Sequence, residues 1–127
     1  MTDRFDEGMR TRRAVLGDAH VDRAEKAKTA FDESFQTLIT EGAWGTVWSR
    51  PHLSHRERSM LTLALLAAAG NFDEIAMHVR ATESTGATPQ DLIESMLHVA
   101  VYCGVPKANH AIKIIKETYR EMGVELS

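Results

Sequence analysis

The chain is poor in the residues that mark several common classes of protein. Cys103 is the only cysteine among 127 residues, so no internal disulfide and no cysteine-pair metal or redox motif can form, which fits a reducing cytoplasm. Proline is scarce, at three residues, and aromatic side chains make up only 6%. No segment alternates with period two over the length of a strand, and no repeat or low-complexity linker divides the chain. The longest apolar run, Leu61 to Ala69 broken only by Thr62, falls short of the roughly 20 residues a membrane-spanning helix needs. The N-terminus has no apolar signal core. A net charge of -3 supplies no basic excess to attract nucleic acid, and neither a nucleic-acid nor a membrane partner is expected. Arg10, Arg12 and Arg13 form the one basic cluster and read as a solvated helix face.

What the chain does have is Ala, Leu and Met at helical spacing, which predicts an all-α, single-domain bundle of about six helices over residues 1–127. Residues 1–17 form a possible helical arm. Its thin stripe of Phe5, Met9 and Val15 is too weak to hold an isolated helix, so the arm is expected to dock, preferentially on a neighbouring subunit. Apolar positions from Ala24 to Ile39 predict one amphipathic helix over 22–40. Gly42, Gly45 and Pro51 then predict a structured connection that carries Trp44 and Trp48, either as core anchors or as the wall of a pocket.

Ser54 with Glu57 is a capping box that starts a helix, and the run Met60 to Ala69 predicts that this helix is buried all round. Gly70 ends it, and Asn71 with Glu74 repeats the capping pattern before a helix running to about Ser84. Thr88, Pro89 and Asp91 give three agreeing start signals for the next helix, Gly104 stops it, and Pro106 opens the last, which ends near Met122.

The stretch from Gly70 to Arg80 gathers chargeable groups beside the apolar run. On a helix, Asn71, Glu74 and His78 share a face, because residues three and four apart are neighbours. A carboxylate there favours the imidazolium and can orient the ring, which suits a proton donor. The same pairing is also common on ordinary helix surfaces. Asp73, Glu74 and His78 are weak metal ligands, since no second histidine occupies the adjacent turn, and no metal site is expected. Of the other histidines, His20 and His55 read as solvated, His52 as part of a loop that can close over a pocket, His98 as a core or interface residue, and His110 as lying near a subunit contact. Cys103 at a helix end reads as a buried structural thiol.

Five segments together resemble the carboxymuconolactone decarboxylase family: Trp44 to Pro51, Arg56 to Leu63, Glu74 to Arg80, Gly86 to Pro89 and Val101 to Pro106. The likeness covers about Leu16 to Arg120. It implies the alkylhydroperoxidase-D-like fold and assembly into homotrimers or homohexamers. It also implies cofactor-free decarboxylation of 4-carboxymuconolactone, a lactone dicarboxylate, to 3-oxoadipate enol-lactone in protocatechuate degradation.

The redox members of that fold carry a Cys-x-x-Cys before the matching histidine. Those positions are Asn71 and Glu74 here, so thiol peroxidase chemistry is excluded. The resemblance further implies His78 as general acid, Glu74 as its orienting partner and Glu57 as a second-shell carboxylate or alternative relay. Arg58 and Arg50, ahead of Arg80, are the expected receptors for substrate carboxylates. Arg80 also has Glu83 within reach as a partner. Trp44, Trp48 and His52 are expected to wall the pocket. The alternative reading is a non-catalytic, oligomeric ligand-binding or sensor protein on the same fold.

Overall fold

A computed structural model describes residues 3–127; Met1 and Thr2, the start of the predicted arm, lie outside the described residues. It is all-helical. Seven α-helices form among the described residues rather than about six: α1 (Asp3–Leu16), α2 (Asp18–Ala27), α3 (Glu33–Ile39), α4 (His55–Ala69), α5 (Ile75–Thr85), α6 (Pro89–Cys103) and α7 (Val105–Glu121). A π-helix, Thr40–Trp48, continues α3, and a 3-10 turn, Phe72–Glu74, precedes α5. Contacts divide the chain into two compact units, 1–54 and 55–127.

In the first unit α1 packs on the π segment of its own chain, where a neighbouring subunit was the expected dock. Its buried face is Phe5, Gly8, Arg12 and Val15. That face lies at helical spacing but includes a glycine and an arginine, which apolar counting overlooks. Gly8 and Gly45 serve a close approach. A Cβ on Gly8 would stand 2.1 Å from the Thr40 carbonyl oxygen, and one on Gly45 would stand 2.5 Å from that of Arg4. Two helical backbones therefore touch where the sequence predicts the end of a helix and a structured connection.

The expected single helix over 22–40 is broken. Lys28 is extended (φ -65°, ψ 137°), the Thr29 N–H donates to the Asp32 carboxylate at 2.8 Å, and the Phe31 N–H donates to the Thr29 hydroxyl at 3.3 Å. Side chains of this kind offer the backbone an alternative to helical hydrogen bonds. The apolar stripe is consequently turned outward, with Phe31 96% and Leu38 65% exposed.

The second unit closes around Leu63 and Ala67 of α4, Ile75 and Val79 of α5, Leu92 and Met96 of α6, and Ala111 and Ile115 of α7. Here α4 packs on α5 and α6, while α7 packs on both of those. The start of α6 follows the sequence signals: the Thr88 hydroxyl accepts from the Asp91 N–H at 3.1 Å, and the Asp91 carboxylate accepts from the Thr88 N–H at 2.9 Å. Helix α4 begins at His55 as expected but is not covered on every side, since Leu61 and Leu65 are 50% and 66% exposed. The outer face of α6 likewise exposes His98, Val101, Tyr102 and Cys103. His98 stacks on Tyr102 with ring centroids 6.2 Å apart, so neither the core reading of His98 nor the buried reading of Cys103 holds.

Candidate active site

The stretch from Gly70 to Arg80 enters its helix differently from the expected cap. Gly70 takes φ 78°, a left-handed turn open to glycine, and the Asn71 N–H returns to the Leu66 carbonyl at 2.8 Å. No Asn71 side-chain cap forms, because the chain first makes the 3-10 turn Phe72–Glu74. That tighter turn changes the register between Glu74 and α5. Glu74 is exposed, on the wall of an open depression of about 500 Å³ that it shares with Asn71, Phe72, Asp73, His110 and Ile114. The His110 ring lies 4.0 Å from that of Phe72, measured between centroids. His110, expected on a helix face near a subunit contact, comes from α7 to the start of α5.

His78 sits one turn into α5 and is buried, at 8% exposure, between apolar positions led by Ile75 and Val79. Arg58, on the first turn of α4, is equally buried, whereas Glu57 beside it is exposed. That turn is held on two sides. Arg56 donates to both oxygens of Asp91 at 2.8 and 2.6 Å, and the Ser59 and Thr85 hydroxyls share a buried hydrogen bond of 2.7 Å. The Arg56 guanidinium and the Thr88 N–H hold the Asp91 carboxyl well below the usual carboxylate range. Arg80 is exposed and donates to Glu121 on α7 at 2.6 Å, not to Glu83.

In the first unit Trp44 and Trp48 are buried together, with ring centroids 5.1 Å apart and planes inclined by 35°. Arg50 and His52 follow them and are exposed. Arg12, read from the sequence as solvated, is 5% exposed. Burial lowers its pKa, opposed in part by the Glu25 carboxylate. Arg13 does stay outside, paired with Asp18 and Asp22 at 3.0 and 2.9 Å. The signal that could have found Arg12 is its spacing from Phe5, Gly8 and Val15. Among the described residues no three His, Cys, Asp or Glu side chains gather as a metal-binding group, and no helix is long and apolar enough to cross a membrane.

A buried histidine and a buried arginine on short, anchored helical turns suit binding an anion and moving one proton. Several known proteins are similar to the chain in sequence. The chain is 40% identical over 121 residues to a 4-carboxymuconolactone decarboxylase of Acinetobacter baylyi, covering 95% of this chain and 90% of that one. It is 42% identical over 118 residues to nitrosuccinic acid decarboxylase of Metarhizium robertsii, covering 93% and 82% respectively. A 4-carboxymuconolactone decarboxylase sequence of Pseudomonas putida is 55% identical over 42 residues, which is 33% of this chain and 88% of that sequence. The model of the carboxymuconolactone decarboxylase family matches residues 33–117, and with these relatives it establishes that the chain belongs to that family.

Proposed function

We propose that the protein is a carboxy-lyase that converts 4-carboxymuconolactone to 3-oxoadipate enol-lactone without a cofactor, as a step of protocatechuate breakdown. The observation that carries this reading is the 40% identity to the Acinetobacter baylyi decarboxylase along nearly the whole of both chains. The substrate supplies its own electron sink. The bond to the departing carboxylate breaks, its electron pair moves through the adjacent carbon–carbon double bond to the lactone carbonyl, and carbon dioxide leaves. The dienolate that results is then protonated on carbon. The enzyme need only hold two carboxylates, stabilise the dienolate and deliver one proton.

His78 is the proposed general acid, since its burial would keep bulk water from competing for the dienolate. Glu74 and Glu57 are proposed to orient it or relay its proton. Arg58 and Arg50 are the proposed carboxylate receptors, through their planar forks, while Trp44, Trp48 and His52 are proposed to contact the ring. Arg80 is the weakest of the set because Glu121 already accepts from its guanidinium.

A second reading has specific support in the 42% identity to nitrosuccinic acid decarboxylase. A nitro group beside a carboxylate is also an electron sink, so the same residues would serve a nitro-dicarboxylic acid. Purified protein given each acid separately distinguishes the two, by carbon dioxide release with no added cofactor. Binding of both acids without turnover would support the non-catalytic sensor instead.

We further propose one functional domain over 1–127, a cytoplasmic location and assembly into a homotrimer or homohexamer. Support for assembly comes from the apolar side chains left open on α4 and α6, including Leu65, Leu97 and Val101 at 66%, 52% and 77% exposure. Sedimentation velocity on the purified chain tests it.

A further inference from the structure

Three residues on one face of α1 meet the π segment where it departs from α geometry. Gly8 lets the two backbones touch: a Cβ there would lie 2.1 Å from the Thr40 carbonyl oxygen and 2.9 Å from the Gly45 nitrogen. Thr11 bonds to the Ser49 hydroxyl at 2.7 Å, and Ser49 donates to the Trp44 carbonyl at 2.6 Å, so Thr11 is the donor of the first bond. Arg12 reaches Gln36 Oε1 at 3.5 Å and Thr40 Oγ1 at 3.4 Å. Gln36 belongs to α3 and Thr40 opens the π-helix, so the guanidinium bridges the junction between the two geometries.

A π-helix bonds i to i+5 and is rare beyond a single turn, usually surviving only where something outside it enforces the wider register. Two side chains reinforce that register from within. The Thr46 hydroxyl donates to the Glu41 carbonyl at 3.0 Å and Ser49 to that of Trp44, each five residues back. Arg12 is an expensive brace. Its hydrogen bonds are long and go to uncharged oxygens, and its buried Nε has no hydrogen-bond partner. An apolar side chain of similar length would cost less to bury, so stability alone does not account for a guanidinium here.

We infer that Arg12 is a positioning residue: its fork across Gln36 and Thr40 holds the chain in π register from Thr40 onward and so fixes the tilted contact between the Trp44 and Trp48 rings. A change from i+5 to i+4 bonding would rotate every later residue about the segment axis and part the two rings. The consequence for catalysis rests on the proposed role of those tryptophans as substrate contacts; the structural consequence does not.

The test uses the full chain with Arg12→Met and Arg12→Lys. Trp44 and Trp48 are the only tryptophans, so near-ultraviolet circular dichroism reports their packing directly. Arg12→Met should keep its far-ultraviolet spectrum, lose most of the tryptophan signal, and raise KM about tenfold with kcat changed far less, on whichever acid the wild type decarboxylates. Arg12→Lys, able to reach one partner but not both, should restore part of each. Val21→Ala, a core truncation in the same unit, should lower Tm while leaving the tryptophan signal and KM in place. If Arg12→Met fails to fold, Gln36→Ala removes one arm of the same bridge and should show the same signature in weaker form. An unchanged tryptophan spectrum in Arg12→Met, or in Gln36→Ala where the former is unfolded, overturns the inference. Because that spectrum needs no substrate, its outcome is separate from the identity of the acid.

Discussion

Arg56 grips Asp91 with two hydrogen bonds, 2.8 Å from Nε and 2.6 Å from Nη2, and one of the same carboxylate oxygens accepts from the Thr88 N–H at 2.9 Å. One carboxylate thus ties the first turn of α4 to the first turn of α6. Glu57 and Arg58 lie on that α4 turn, so the pair fixes the backbone that presents two of the proposed site residues. Such anchoring is what a preorganised site requires of its surroundings.

Acid should weaken this anchor in a defined direction. The Asp91 carboxyl has a depressed folded pKa, caused first by Arg56 and then by Thr88. Its contribution to stability is therefore complete above the unfolded value of about 3.9 and is lost progressively as pH falls below it toward the lower folded value. Asp91→Asn should flatten that part of the acid-unfolding profile. Thr88→Ala, which removes the hydroxyl arm of the capping box, should cost about 1 kcal/mol near neutral pH, measured by urea unfolding.

Two glycines in the first unit should respond in opposite directions to the same change. Alanine normally stabilises a helix interior over glycine by about 1 kcal/mol. Gly42→Ala meets open space and should be neutral or stabilising, whereas Gly8→Ala drives a methyl group into the Thr40 carbonyl and should lower Tm. Thermal unfolding of the two variants side by side checks the close approach of α1 to the π segment.

Helix ends were readable from the sequence where their chemistry is local. The cap at Thr88, the start at His55 and the stop at Gly104 each depend on residues a few positions away. The π segment was not readable in that way, because Gly45 makes room for α1, a distant part of the chain, and with Gly42 it therefore looked like a breaker. The break at 28–32 was hidden by an apolar rhythm that continues through it, although Thr29 and Asp32 carry the turn chemistry. For the site, the placement of His78 on a helix was legible, but its burial depends on packing from other helices. The 3-10 turn put Glu74 on the wall of a depression with His110, a neighbour that comes from α7 and that sequence spacing cannot supply. Arg12 was missed because it sits in a run of arginines.

Self-association should be sensitive to the open face of α4. Leu65→Glu places a charge at a position 66% exposed in the single chain, where a monomer would tolerate it. A shift to a smaller species in sedimentation, with the far-ultraviolet spectrum retained, is the expected result. By contrast, Leu63→Ala truncates a fully buried side chain and should cost about 2–5 kcal/mol of stability.

Cys103 is exposed at the end of α6. Cys103→Ser should leave decarboxylation rates unchanged, since no step of the proposed reaction uses sulfur. Loss of turnover in a folded Cys103→Ser protein would require a different mechanism.

The role of His78 is open to direct kinetic test. His78→Ala should lower kcat by about 10²–10⁴, the usual contribution of a positioned general acid, while the protein stays folded and assembled. Full turnover without the imidazole would remove His78 from the mechanism.

The most direct measurement is carbon dioxide release from 4-carboxymuconolactone by the purified, metal-chelated protein with nothing added. The account predicts rapid, stoichiometric release and formation of 3-oxoadipate enol-lactone. A folded, assembled protein that leaves the lactone intact would contradict it.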